Sequence, residues 1–232
     1  MVIGIANTFY VIPSLEKKMK LKTLALSLAV AGATAVSMVP VAAQAEVSYN
    51  AAVSNMYLWR GQDISDGQAV VSGGVDYAAD SGFYAGVWAS SEAAGTETDL
   101  YAGYGFSAGG LDVSLAYWTY LYPSDGSEST FSRKDGTLLS EYEITLGMGD
   151  FSATAMIDTE DTDLQYYSLN YGMGDFGLHA GMYELGDDDY TDFSVSYAAT
   201  DALSFTLSKA QGDALSEEDE KPMIAVSYSL PL

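Results

Sequence analysis

The residues able to do chemistry are few and scattered. His179 is the single histidine, and there is no cysteine. A lone imidazole does not make a multi-histidine zinc site, and thiolate ligation is impossible. Barrel phospholipases work through a Ser–His pair, but no motif places a serine beside His179. The acidic runs Asp187-Asp188-Asp189 and Glu217-Glu218-Asp219-Glu220 lack the spaced ligands and glycine of an EF-hand. They read as solvated, mutually repelling loops, whose one functional use would be weak divalent-cation bridging to lipopolysaccharide. Gly103-Tyr-Gly105 and Gly147-Met-Gly149 are followed by no helix, so they are strand or turn glycines and not a nucleotide site. We therefore expect no enzyme, no metal and no cofactor.

What remains is a set of charged residues on one side of an alternating pattern: Arg60, Asp76, Asp99, Asp112, Glu141 and Glu143. Burying unpaired charge is costly. Several carboxylates with one arginine on an inner face imply a hydrated lumen; a closed plug of mutually paired side chains is the bland counterpart. If the lumen is open, a carboxylate-lined, low-dielectric passage concentrates cations.

The elements that would position these residues are strands. From 69 to 90 the apolar side chains Val71, Val75, Tyr77, Phe83, Ala85, Val87 and Ala89 recur at every second position around the turn Ala79-Asp-Ser-Gly82. Period two flanked by turn residues predicts an antiparallel hairpin. The same unit repeats, giving twelve predicted strands: 47–59, 69–78, 83–90, 99–106, 111–121, 138–148, 151–157, 164–173, and four centred on 176–182, 193–197, 203–207 and 224–232. The phase of 164–173 is ambiguous by itself. The turn Met-Gly-Asp-Phe decides it, because it occurs at both 148–151 and 173–176 with its flanking residues on the apolar face. Short turns alternate with longer, mostly acidic connections such as 123–137, 158–163, 184–190 and 211–221. That asymmetry is the mark of an up-and-down outer-membrane barrel.

Periodicity does not say whether the apolar face meets lipid or a core, but the opposite face does. A soluble sandwich or barrel would show Lys and Glu there; this chain shows mainly Gly, Ser, Ala, Thr and Tyr. Aromatics (Tyr77, Phe83, Phe106, Phe151, Tyr171, Phe176 and Tyr197) flank the short turns like an interfacial girdle. Lys209 is the one basic residue on the apolar face, near a strand end where it could snorkel.

Residues 1–18 read as an upstream extension and 19–45 as a signal peptide. Lys17, Lys18, Lys20 and Lys22 precede an apolar run from Leu24, and Ala43-Gln-Ala45 offers a cleavage site. Removing them leaves 46–232, with 5 basic against 31 acidic residues and a charge of −26. Such a surface excludes nucleic acid as a partner, since phosphate contacts need Lys and Arg. A disulfide-free exported chain closes its fold by burial or by an unbroken hydrogen-bond ladder. The final strand is apolar at every second position from Ile224 to Leu232, the pattern of a barrel-assembly signal, although such signals commonly end in an aromatic residue.

Tyr57-Leu-Trp-Arg-Gly61, Gly73-Gly-Val-Asp-Tyr77, Ser81-Gly-Phe-Tyr-Ala-Gly-Val-Trp-Ala-Ser90 and Asp99-Leu-Tyr-Ala-Gly-Tyr104 resemble the TorF-type porin family of bacterial outer-membrane proteins. Members often have Ser-Asp-Tyr where this chain has Ser54-Asn55-Met56-Tyr57, and a proline in the first loop that is absent here. The resemblance implies a barrel in the bacterial outer membrane. Its partners would be lipid, lipopolysaccharide and the barrel-assembly machinery. Its expected role is passive diffusion of small solutes or ions, with a preference for cations. A non-conducting barrel acting through its acidic loops is the other functional reading.

Overall fold

A computed structural model describes residues 45–93, 95–122 and 139–232. The expected extension and signal peptide, most of the connection after strand 111–121, and Arg133 and Lys134 lie outside these residues. The chain forms fourteen strands and no helix among the described residues. They are β1 (Glu46–Ser54), β2 (Leu58–Trp59), β3 (Gln62–Asp63), β4 (Val70–Ala78), β5 (Phe83–Glu92), β6 (Gly95–Ala108) and β7 (Leu111–Leu121), then β8 (Ser140–Met148), β9 (Phe151–Asp158), β10 (Leu164–Met173), β11 (Phe176–Leu185), β12 (Asp188–Ala198), β13 (Leu203–Gln211) and β14 (Met223–Ser229). Twelve of them close into one antiparallel barrel in sequence order, with β1 sealing against β14; β2 and β3 form a separate two-stranded ribbon. Closure satisfies every strand edge, which is what lets strands cross a membrane.

Register is set by the turns. Met148 pairs with Phe151 and Met173 with Phe176, so the repeated Met-Gly-Asp-Phe turns do bring both flanking residues to one face. Gly149 and Gly174 sit at φ 64 and 62, as the first position of a two-residue hairpin turn requires. The apolar positions point outwards along β4 to β14. Val75, Val87, Leu100, Leu115, Ile144, Leu169, Val195, Leu207 and Ile224 are exposed in the middle of the wall. Aromatics cover its turn end, where Phe151 stacks on Tyr171 at 4.4 Å and Phe176 lies 5.0 Å from Tyr197. Large apolar side chains exposed all round a closed barrel are unfavourable in water and favourable in lipid. Lys209 is exposed at the loop end of β13, opposite Phe193.

Three expectations are corrected. The first strand does not run to Trp59. It ends at Ser54, and Asn55 stands in for one more residue pair: its backbone N–H donates to Val226 O, its side-chain amide to Ile224 O, and its Oδ1 accepts from Val226 N–H. Beyond Asn55 the chain leaves the wall, so Tyr57 and Trp59 do not face lipid and Tyr57 is buried. Second, the acidic connection at 184–190 is no loop. Leu185 pairs with Asp188 across Gly186-Asp187, and likewise Glu92 pairs with Gly95, so two connections at the loop end are tight hairpins. Third, Leu121 is buried although its parity matches the lipid face.

Candidate functional site

The site is built by the segment that leaves the wall. Leu58 pairs with Asp63 and Trp59 with Gln62, leaving Arg60-Gly61 as a two-residue turn. Both have positive φ, 45 and 77, the requirement of a type I′ turn. Arginine is an unusual choice at a positive φ, and such a conformation persists only where its surroundings hold it. Behind the turn the ribbon is stiffened by Ile64 N–H to Tyr57 O and by Asp63, whose carboxylate accepts from Ser65 N–H, Ser65 Oγ and Gly67 N–H. The ribbon enters the barrel from the loop end and bridges it. Tyr57 donates to Glu97 on β6 at 2.6 Å and packs edge-on to Trp88 of β5 at 5.7 Å. At its tip, Gly61 lies so close to β12 and β13 that an added Cβ would be 2.4 Å from the Asp192 Cβ and 3.1 Å from that of Ala210.

Arg60 reaches the wall between these contacts. Its Nη2 stands 2.8 Å from both Oε1 and Oε2 of Glu141. Its guanidinium lies 4.4 Å from the ring of Trp59, 4.5 Å from that of Tyr166 and 4.6 Å from that of Tyr183. Tyr120 donates to Glu141 Oε2 at 2.6 Å, and Met156 Sδ is 3.4 Å from Nη2. Arg60 is only 3% exposed, with Met156 and Tyr166 fully buried beside it, so at this level side chains fill the lumen.

The other sequence-predicted positions divide by depth. Asp99 and Glu143 face inwards and are 0% and 1% exposed. Thr145 donates to Glu143, whereas neither Asp99 oxygen has a hydrogen-bond partner among the described residues. Asp76 is half-buried towards the turn end, bonded by Tyr101 and, at 3.1 Å, by Asn50. Asp112 lies next to the Gly109-Gly110 turn, bonded by Ser107, apart from the others. The structure thus brings Arg60, Glu141 and Glu143 to the filled level, but Arg60 arrives there from the inserted turn and not from the first strand. Sequence reasoning missed Glu97, which it left in a loop although it shares the parity of Asp99. It missed Tyr166 and Tyr183 too, whose role depends on which side chain crosses the lumen to meet them.

His179 points inwards between Asn170 Oδ1 at 2.7 Å and Asp192 Oδ1 at 2.9 Å, with Tyr166 Oη also at 2.9 Å. Both ring nitrogens are engaged, and serine is not among these partners. Gly105-Phe-Ser107-Ala-Gly109 has the spacing of a nucleophile elbow, but it leads into a β-turn with no helix, and Ser107 serves Asp112. No group of three or more His, Cys, Asp or Glu among the described residues is arranged to hold a metal ion.

Comparison with known proteins bears out the architecture. The model of a family described as "Bacterial protein of unknown function (Gcw_chp)" matches residues 40–222, so the chain belongs to that family. No curated protein matches it. Among solved structures, a membrane protein from work on in-meso crystallization is similar with a TM-score of 0.53 and 11% identity over 79% of this chain and 83% of its own. The KdgM porin gives 0.49 and 8% over 81% and 99%. Outer membrane phospholipase A from Escherichia coli gives 0.40 and 13% over 78% and 88%. At these identities the likeness concerns the fold alone.

Proposed function

We propose that this Gcw_chp family member is a passive outer-membrane channel for small solutes or ions, with its acidic loops outside the cell. The observation that carries the reading is the inserted ribbon: a loop that narrows a polar-walled closed barrel is a way to set what passes. The TorF-type resemblance supports the same role. Glu97, Asp99, Glu141 and Glu143 outnumber Arg60 on the inner wall, a residue balance that supports cation preference where water reaches them. Twelve strands lie between the filled interior of about eight and the aqueous channel of about 16–18, so the ribbon decides the width. Passage here is physical, with no bond made or broken in the solute. Lipid, lipopolysaccharide and the barrel-assembly machinery are its proposed partners.

The filled level at Arg60 favours a second reading, a barrel that conducts nothing and acts through its loops. Planar-bilayer recording of the purified protein decides between the two. Discrete current steps with a reversal potential of cation-preferring sign under a salt gradient are expected. A silent barrel, folded and inserted, would favour the second reading.

A further inference from the structure

The surroundings of Arg60 are more than a latch. The wall contributes a carboxylate from β8 held in place by the Tyr120 hydroxyl, a thioether from β9, and ring faces from β10 and β11; the ribbon adds the face of Trp59. One carboxylate and three aromatic faces around a cation form the arrangement that recognises organic cations. The guanidinium also makes little use of the rest of its fork: among the described residues Nε and Nη1 have no hydrogen-bond partner, and they lie among the rings. A planar, weakly hydrated cation suits such a place better than a compact, strongly hydrated one.

We propose that Glu141, Tyr166 and Tyr183, completed by Trp59, form a receptor for small solutes bearing a guanidinium group, and that Arg60 occupies it as a tethered stand-in. The proposal deepens the channel reading and rests on it only for the solute's route of entry. Solutes compete with Arg60 from the loop end. Because a short tether gives Arg60 an effective concentration in the millimolar range or above, a free guanidinium ion at lower concentration does not displace it. Removing the Arg60 side chain should leave a vacancy of the right shape. Besides Arg60–Glu141 the ribbon is held by Tyr57–Glu97 and by Trp59, whose ring centroid is 5.8 Å from that of Tyr183, and Glu141, Tyr166 and Tyr183 belong to the wall whether or not the ribbon docks.

The test uses Arg60→Gly in the full-length barrel, since glycine suits φ 45 and keeps the two-residue turn. Methylguanidinium chloride is titrated into the purified variant by calorimetry, against sodium chloride at equal ionic strength. We expect a saturable one-site isotherm with methylguanidinium alone and none in the parent protein at the same concentrations. Adding Glu141→Gln to Arg60→Gly should weaken binding about tenfold or more, as loss of a charge-assisted hydrogen bond requires. No saturable binding by Arg60→Gly, or affinity unchanged by Glu141→Gln, would overturn the receptor. If the glycine variant does not fold, Arg60→Asn repeats the titration, because asparagine tolerates positive φ and is too short to reach Glu141. Calorimetry reads the site independently of current. Binding in a barrel that stays silent in bilayers would keep the receptor and sink the channel, whereas a conducting variant that binds no methylguanidinium would do the reverse.

Discussion

Arg60 Nη2 and the two carboxylate oxygens of Glu141 meet at 2.8 Å across 81 residues of chain. The pair fastens the tip of an inserted ribbon to the barrel wall, and both partners are buried. An interaction between opposite full charges away from water is strong once formed, and removing one partner strands the other.

Glu141→Gln should therefore release the ribbon. Leaving a buried arginine without its counter-charge costs about 3–5 kcal/mol. Undocking the ribbon, which pairs with no barrel strand, relieves that cost without breaking the barrel ladder. Single-channel conductance in planar bilayers should rise, and Trp59 should become accessible to an aqueous quencher. Glu143→Gln, whose target touches Thr145 and not Arg60, should change neither. Equal behaviour of the two variants would show that the Arg60–Glu141 pair does not hold the ribbon.

Selectivity should depend on the remaining inner carboxylates. Asp99→Asn with Glu143→Gln keeps shape and polarity while replacing two ionisable carboxyl groups of the inner wall. The cation preference of the reversal potential should fall in that double variant. It should also fade in the parent as salt approaches 1 M, where the screening length is about 3 Å. An anion-preferring parent, or a double variant with the parent's reversal potential, would place the ion path elsewhere.

The outer face offers a depth test. Ile144 lies mid-strand on β8 and Met148 at its turn end, and both are exposed. Arginine at the bilayer midplane costs about 2–4 kcal/mol, falling to about 0–1 near the interface. Ile144→Arg should lower the denaturant midpoint of unfolding from lipid vesicles well below that of Met148→Arg. Equal midpoints would mean this face does not sit in hydrocarbon.

Two glycines on the inner side of β6 should answer differently to alanine. A Cβ at Gly103 would meet the Tyr84 ring at 2.4 Å and Leu115 O at 2.6 Å, whereas at Gly105 its nearest neighbour is Val113 O at 3.7 Å. Tyr84 lies over Gly103 with its hydroxyl on Ser114 at 2.6 Å, and no side chain larger than hydrogen leaves it that place. Gly103→Ala should cost about 1–3 kcal/mol by overpacking, and Gly105→Ala little. Chemical unfolding of both variants checks this; comparable stabilities would mean Tyr84 moves aside freely.

Orientation can be read on whole cells. The connection from Gln211 to Met223 carries four consecutive acidic residues, while Gly174-Asp175 is a tight turn at the other end of the barrel. An epitope after Asp213 should be labelled on intact cells. Labelling only after permeabilisation would reverse the proposed orientation.

Strand number, phase and the lipid-facing side were legible because they depend on local rules. Side chains alternate strictly along a strand, so Tyr142, Ile144, Leu146 and Met148 must share a face, and the repeated Met-Gly-Asp-Phe turn transfers that phase to its neighbours. Inward placement of Asp99, Glu141 and Glu143 follows from the same alternation. The departure of the chain at Asn55 does not. Val47 to Trp59 keeps enough alternation to continue as a strand, and the two-residue turn at Arg60-Gly61 is masked by an arginine where asparagine or glycine would announce it. Only the closed barrel supplies what makes the inward path favourable: Glu97 for Tyr57, Glu141 for Arg60, and the rings of Tyr166 and Tyr183 on strands more than a hundred residues later. Those partners are brought together by barrel closure, a non-local event that no window of sequence contains. The sequence by itself determined a barrel with a charged interior; the tertiary structure decided which charge crosses that interior and what it meets.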